Sequence, residues 1–120
     1  GQKEIRESRL TAVENPYPGR DYEVHITLPE FTCLCPISGY PDFAVIHVKY
    51  IPARSIIELK SLKLYINRFR DQSLFHEETV NRILDDLAAV VSPRWMEVTG
   101  DFNPRGNVKT VIRVEYKKGS

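Results

Sequence analysis

The apolar residues of this chain change their period twice. Between Asp21 and Leu28, Tyr22, Val24, Ile26 and Leu28 alternate with Glu23, His25 and Thr27, the period-two signature of a half-buried strand. Phe43 to Tyr50, "FAVIHVKY", is β-branched and aromatic and bounded by Pro41 and Pro52, which reads as a second strand. From residue 58 to 70 the spacing lengthens: Leu62, Tyr65, Ile66 and Phe69 fall at i, i+3, i+4 and i+7, on one face of a helix. Val80, Ile83, Leu84, Leu87 and Val91 form a second helical stripe, with Ser73 as candidate N-cap, Glu77 and Glu78 near the first turns and Pro93 as the stop. Arg94 to Phe102 and Val108 to Tyr116 alternate again around "NPRG", a hairpin signal. The order strand, strand, helix, helix, strand, strand predicts an α+β domain with both helices on one face of an antiparallel sheet. Residues 1–14 mix charges without a period and precede the turn-rich "NPYPGRD", so they read as a flexible N-terminal arm, with 15–120 as a single domain.

At 120 residues the core of such a domain is modest, and oligomerisation would help to bury apolar surface. A formal net charge of +1 gives no support to wholesale binding of nucleic acid or membrane. No apolar run approaches the roughly 18 residues of a membrane span, and "GQKEIRESRLTAVE" is charged where a signal peptide is apolar. The expected compartment is the cytoplasm, where two cysteines read as thiols rather than as a disulfide framework.

Both cysteines lie in "FTCLCPISGYPDFA", residues 31–44, between two strand-like runs. The stretch is open to three readings: a structural crossover, a metal or redox site, or the seat of a covalent reaction. A metal site is disfavoured, because beyond these thiols only His25, His47 and His76 are available and no second CxxC or HxxxH spacing occurs. Cys35 precedes Pro36, so its backbone is biased to extended conformations at the end of the first strand. Asp42 follows across "PISGYP", a loop rich in turn formers that can return the carboxylate to the thiol. From the residues alone Cys35 is either a small buried hydrophobe or a nucleophile. Glu77 either complements a helix N-terminus or accepts hydrogen bonds from a ligand, and Lys60 and Lys63, one helical turn apart, are either solvated or face phosphates.

"FTCLCPISGYPDF", "ELKSLKLY", "FHEE" and "FNPRG" stand in the order and spacing of the QueF nitrile reductases, and the chain from Asn15 to Tyr116 resembles that family. The resemblance implies reduction of 7-cyano-7-deazaguanine to 7-aminomethyl-7-deazaguanine with two NADPH, a step of queuosine biosynthesis and tRNA modification. It implies a tunnelling fold (T-fold), whose ββααββ subunits close into oligomeric barrels. A single module of this length implies a decamer of two stacked pentamers.

Residue by residue, the resemblance makes Cys35 the nucleophile that forms a thioimide with the nitrile and Asp42 the general acid/base. His76 joins the catalytic group. Glu77 is expected to bind the deazapurine, with Glu58 and Ser61 at the edge of the substrate pocket and at a subunit interface. Lys60, Lys63 and Arg105 are expected to contact NADPH. Tyr40 stands where these reductases commonly carry glutamine, and Asn107 where glycine is usual. An archaeal QueF-like homologue, which uses ammonia to convert the nitrile already in tRNA to a formamidine in archaeosine synthesis, is the alternative. It shares the thioimide, needs no NADPH and takes tRNA as partner.

Overall fold

The computed structural model describes residues 9–119. Its elements are β1 (Ala12–Glu14), β2 (Val24–Leu34), β3 (Pro41–Ile51), β4 (Ser55–Ile57), α1 (Leu59–Asn67), a 3₁₀ turn (Arg68–Asp71), α2 (His76–Val91), β5 (Trp95–Arg105) and β6 (Val108–Lys117). The four long strands form one antiparallel sheet in the order β2-β3-β5-β6. This is the expected α+β layout, with the two short strands as an addition.

Both predicted helical stripes face the core: Leu62, Tyr65, Ile66 and Phe69 are buried, as are Val80, Ile83, Leu84, Leu87 and Val91. They pack on Ile46, Val48, Met96 and Val98 of the two central strands. Each fully buried aliphatic side chain contributes on the order of 1.5–3 kcal/mol relative to exposure, so this layer is the main source of stability. The opposite sheet face is wet and charged, with Arg113 donating to Glu97 at 2.7 Å and Trp95 Nε1 to Glu115 at 2.6 Å. No helix among the described residues is long and apolar enough to cross a membrane.

Two strand boundaries differ from the sequence reading. The first strand does not end at Leu28 but continues through a bulge between Leu28 and Phe31. The bulge reverses parity: Val24, Ile26 and Leu28 face the helices before it, and Phe31 and Cys33 after it. Pro29 is tolerated inside the strand because the bulge releases it from the ladder. Likewise "NPR" is strand, with a register shift between Phe102 and Arg105, and the hairpin turn is Gly106-Asn107, at φ 57° and 69°. Two successive positive φ values are those of a type I′ turn, and asparagine is among the few side chains that adopt them readily. Asn107 in place of glycine is thus compatible with the turn.

The N-terminal arm is corrected in part. Residues 1–8 lie outside the described residues, but Ala12–Glu14 pair with β4 and Thr11 N–H donates to Ser61 Oγ at 3.0 Å. Asn15, buried at 1% exposure, locks the segment that follows: its Nδ2 donates to Ala53 O, and its Oδ1 accepts from Tyr17 N–H and Tyr22 OH. Alternation over three residues is too short a signal to reveal such a strand.

Val80 of helix α2 packs tightly over Gly100. A Cβ there would lie 2.5 Å from Val80 Cγ2 and 2.9 Å from the Phe102 ring. Gly100→Ala is expected to lower the urea midpoint, by an overpacking cost of about 1–3 kcal/mol, with an unchanged slope. Equal stability of variant and parent in urea titrations would show that the helix has room to move.

Candidate functional site

Cys35 lies one residue beyond β2, in a loop closed on itself. Cys35 N–H donates to Tyr40 O at 2.8 Å and Gly39 N–H donates to Cys35 O at 2.9 Å. Gly39 has φ 75°, a conformation that a side chain would strain. Tyr40 contributes its backbone to this closure while its side chain is exposed, so the loop does not depend on which side chain stands there. Asp42 re-enters the sheet on β3, paired with Cys33.

The other half of the site comes from the start of α2. Leu34 N–H donates to Gln72 O at 3.0 Å and Leu74 N–H donates to Leu34 O at 3.1 Å, a parallel bridge that ties the end of β2 to the chain entering the helix. Ser73, expected as N-cap, is consumed by this bridge, and the helix begins after Phe75 with no side-chain cap. His76 and Glu77 therefore stand in the first helical turn beside the Cys35 loop. The positive end of the helix dipole favours anions here.

Cys35, Asp42, His76, Glu77 and Arg105 line one cleft of about 360 Å³, with Ser38 in its wall and Ile37 and Phe75 as exposed apolar flanks. Asp42 is its centre and is 5% exposed. Its Oδ1 accepts from Arg105 Nη1 at 2.8 Å, and its Oδ2 lies 3.2 Å from His76 Nε2. The His76 ring lies flat on Phe102, with centroids 3.8 Å apart and planes 8° apart. A buried carboxylate needs such partners, because desolvation of an unpaired anion costs several kcal/mol.

The two thiols are driven in opposite directions. Burial pushes Cys33, which is fully enclosed, up to about 11. Cys35 is lowered, first by the Ser38 hydroxyl and then by the backbone N–H groups of Ser38 and Ile37, against partial desolvation and the charge of Asp42. Donors gathered on a sulfur favour the thiolate, the reactive form. Both cysteines are free.

Other expected residues are not brought to this cleft. Glu58 caps α1, its Oε2 accepting from Ser61 N–H at 2.7 Å, and Ser61 Oγ donates to Glu58 O at 2.8 Å. Lys60 and Lys63 are exposed on α1, away from the cleft lining. Arg105 is in the cleft, engaged with Asp42. Ser38 and Phe102 were not anticipated. Ser38 had a signal, a hydroxyl in the loop between Cys35 and Asp42, whereas Phe102 reads as one more core residue. A hollow of about 430 Å³ lined by Arg54, Arg94 and Lys118 lies at the other end of α2, and no cysteine or histidine lines it.

In the folded protein, iodoacetamide should label Cys35 with a midpoint below the ordinary thiol value and leave Cys33 unlabelled. Ser38→Ala removes the leading thiolate donor, so the midpoint should rise. A pH profile identical to the parent would exclude the hydroxyl as the cause.

The family model described as "QueF-like protein" matches residues 41–120. A Synechocystis protein named NADPH-dependent 7-cyano-7-deazaguanine reductase is 59% identical over 116 residues, 97% of this chain and 85% of the relative. A Microcystis aeruginosa protein of the same name is 57% identical over 118 residues, 98% of this chain and 90% of the relative. The crystal structure of the apo archaeosine synthase QueF-Like superposes with a TM-score of 0.74 at 24% identity, over 82% of this chain and 95% of that one, a likeness of fold. With two thirds of the chain under the family model and these relatives matched nearly end to end, the chain belongs to the QueF family.

Proposed function

We propose that the protein is an NADPH-dependent nitrile reductase that converts 7-cyano-7-deazaguanine to 7-aminomethyl-7-deazaguanine through a thioimide on Cys35, in the cytoplasm. The observation that carries this reading is the convergence in one cleft of an activated thiol, a paired buried carboxylate and a free-facing glutamate. Relatives of 57–59% identity named as reductases support it over the ammonia-using alternative, whose namesake shares only the fold.

In this reading the Cys35 sulfur attacks the nitrile carbon, and one C≡N π bond opens as the S–C bond forms. Asp42 moves the proton from the thiol to the nitrile nitrogen, and His76 holds the carboxylate in place. Glu77 presents two acceptor oxygens to adjacent N–H donors of the deazapurine, which fits a carboxylate on the cleft wall. Ile37 and Phe75 offer apolar faces to a planar ring.

NADPH, when bound, supplies hydride to the carbon held by Cys35. Lys60 and Lys63 suit its phosphates: they are exposed and one turn apart on α1, and neither belongs to an ion pair among the described residues. Since they lie off the cleft of their own chain, they serve with Glu58 and Ser61 at a boundary between subunits. Support for assembly comes from β2 and β6, edge strands of 11 and 10 residues, whose unpaired backbone groups invite pairing with another copy. A decamer of two stacked pentamers is the proposed form, and native mass measurement should give ten times the 13.9 kDa chain. A monomeric mass would refute it.

Mixing the protein with 7-cyano-7-deazaguanine should yield one covalent adduct per chain, absent in Cys35→Ala. Asp42→Asn should slow adduct formation by about 10²–10⁴-fold. Added NADPH should then be oxidised at two per nitrile with release of the amine. An amidine formed with ammonium instead would overturn the reductase reading.

A further inference from the structure

We propose that Arg105 is a positioning residue for the proton-transferring carboxylate, acting on Asp42 rather than on the phosphates of the cofactor. The proposal rests on the covalent reading above. The Arg105 guanidinium makes two contacts inside the cleft: Nη1 donates to Asp42 Oδ1 at 2.8 Å, and Nη2 lies 3.5 Å from Ser38 Oγ. Ser38 lies in the same loop as Cys35, three residues further along the chain. One planar group therefore spans the carboxylate that moves the proton and the loop that carries the nucleophile.

The backbone restrains this bridge. Arg105 ends β5 just past the register shift at Phe102 and directly before the Gly106-Asn107 turn, where both φ values are positive. With His76 on Oδ2, Arg105 on Oδ1 gives Asp42 one partner for each oxygen, a two-point grip that fixes the carboxylate plane. The side chain of Asp42 is 6% exposed and that of Arg105 42%, so the cation brings a permanent charge from the rim to a carboxylate largely withdrawn from water. A guanidinium held in this way has its fork turned inward.

The step that Arg105 serves consumes no oxidant and no net proton. The thiol proton passes to Asp42, the sulfur pair forms the S–C bond, the displaced π pair moves to nitrogen, and Asp42 returns the proton there. Arg105 limits the ways in which the Asp42 carboxylate can turn between these two transfers. It also holds the carboxylate where both transfers can occur, and misplacement by about 1 Å can cost about 10²-fold in rate.

Adduct formation needs no NADPH, and this separates the two roles. Rapid mixing of 7-cyano-7-deazaguanine with Arg105→Gln in the absence of NADPH should show thioimide absorbance appearing about ten- to a hundred-fold more slowly than in the parent. Arg105→Lys, which restores the charge but only one contact, should recover part of the rate. Thermal melts should show both variants folded at the assay temperature, and the KM for NADPH should change little beside the loss in kcat. An Arg105→Gln variant that forms the adduct at the parent rate but shows a raised KM for NADPH would overturn the proposal. If the unsubstituted protein forms no adduct, the covalent reading itself is lost, an outcome distinct from a failure of Arg105 alone. Should Arg105→Gln not fold, a parent-like adduct rate in Arg105→Lys would equally refute the two-contact bridge.

Discussion

The buried carboxylate of Asp42 is the constraint on which the site depends. It sits in the sheet opposite Cys33, and its two oxygens meet His76 from α2 and Arg105 from the β5–β6 hairpin. These partners are 34 and 63 residues distant in sequence. A charge so withdrawn from water destabilises any state in which it is unpaired. Helix, hairpin and the Cys35–Asp42 loop are therefore held to one geometry.

Two backbone features place this centre. The bulge in β2 reverses the parity of the strand, so that Cys33 enters the core and the chain leaves the sheet at Cys35. The bridge from Leu34 to the Gln72–Leu74 segment then brings the start of α2 against the same point. The cost of the bridge is a helix without a side-chain cap, about 0.5–2 kcal/mol by comparison with capped helices. The gain is that the first turn, which carries His76 and Glu77, lies on the cleft.

The contrast between the two cysteines shows how little separation is needed to push one thiol up and its neighbour down. Cys33 is enclosed by apolar side chains, so its neutral form is favoured. Cys35 is two residues on, beyond the end of the ladder, where turn N–H groups and a serine hydroxyl are free to face the sulfur. The chemical difference arises from the strand end rather than from the thiols themselves.

Periodicity and β-branched composition located the four long strands, both helices and the buried faces of the helices, because burial of an apolar stripe depends on local spacing. The motif from Cys35 to Asp42 also announced its loop, since proline, glycine and serine set turn geometry locally. The bulges and the three-residue β1 were not readable, because a register shift is decided by pairing with another strand. Nor did spacing tell that Arg105 turns inward to Asp42 while Lys60 and Lys63 stay at the surface. All three are cations in short motifs, and only the tertiary structure decided between them, by placing a buried anion within reach of one.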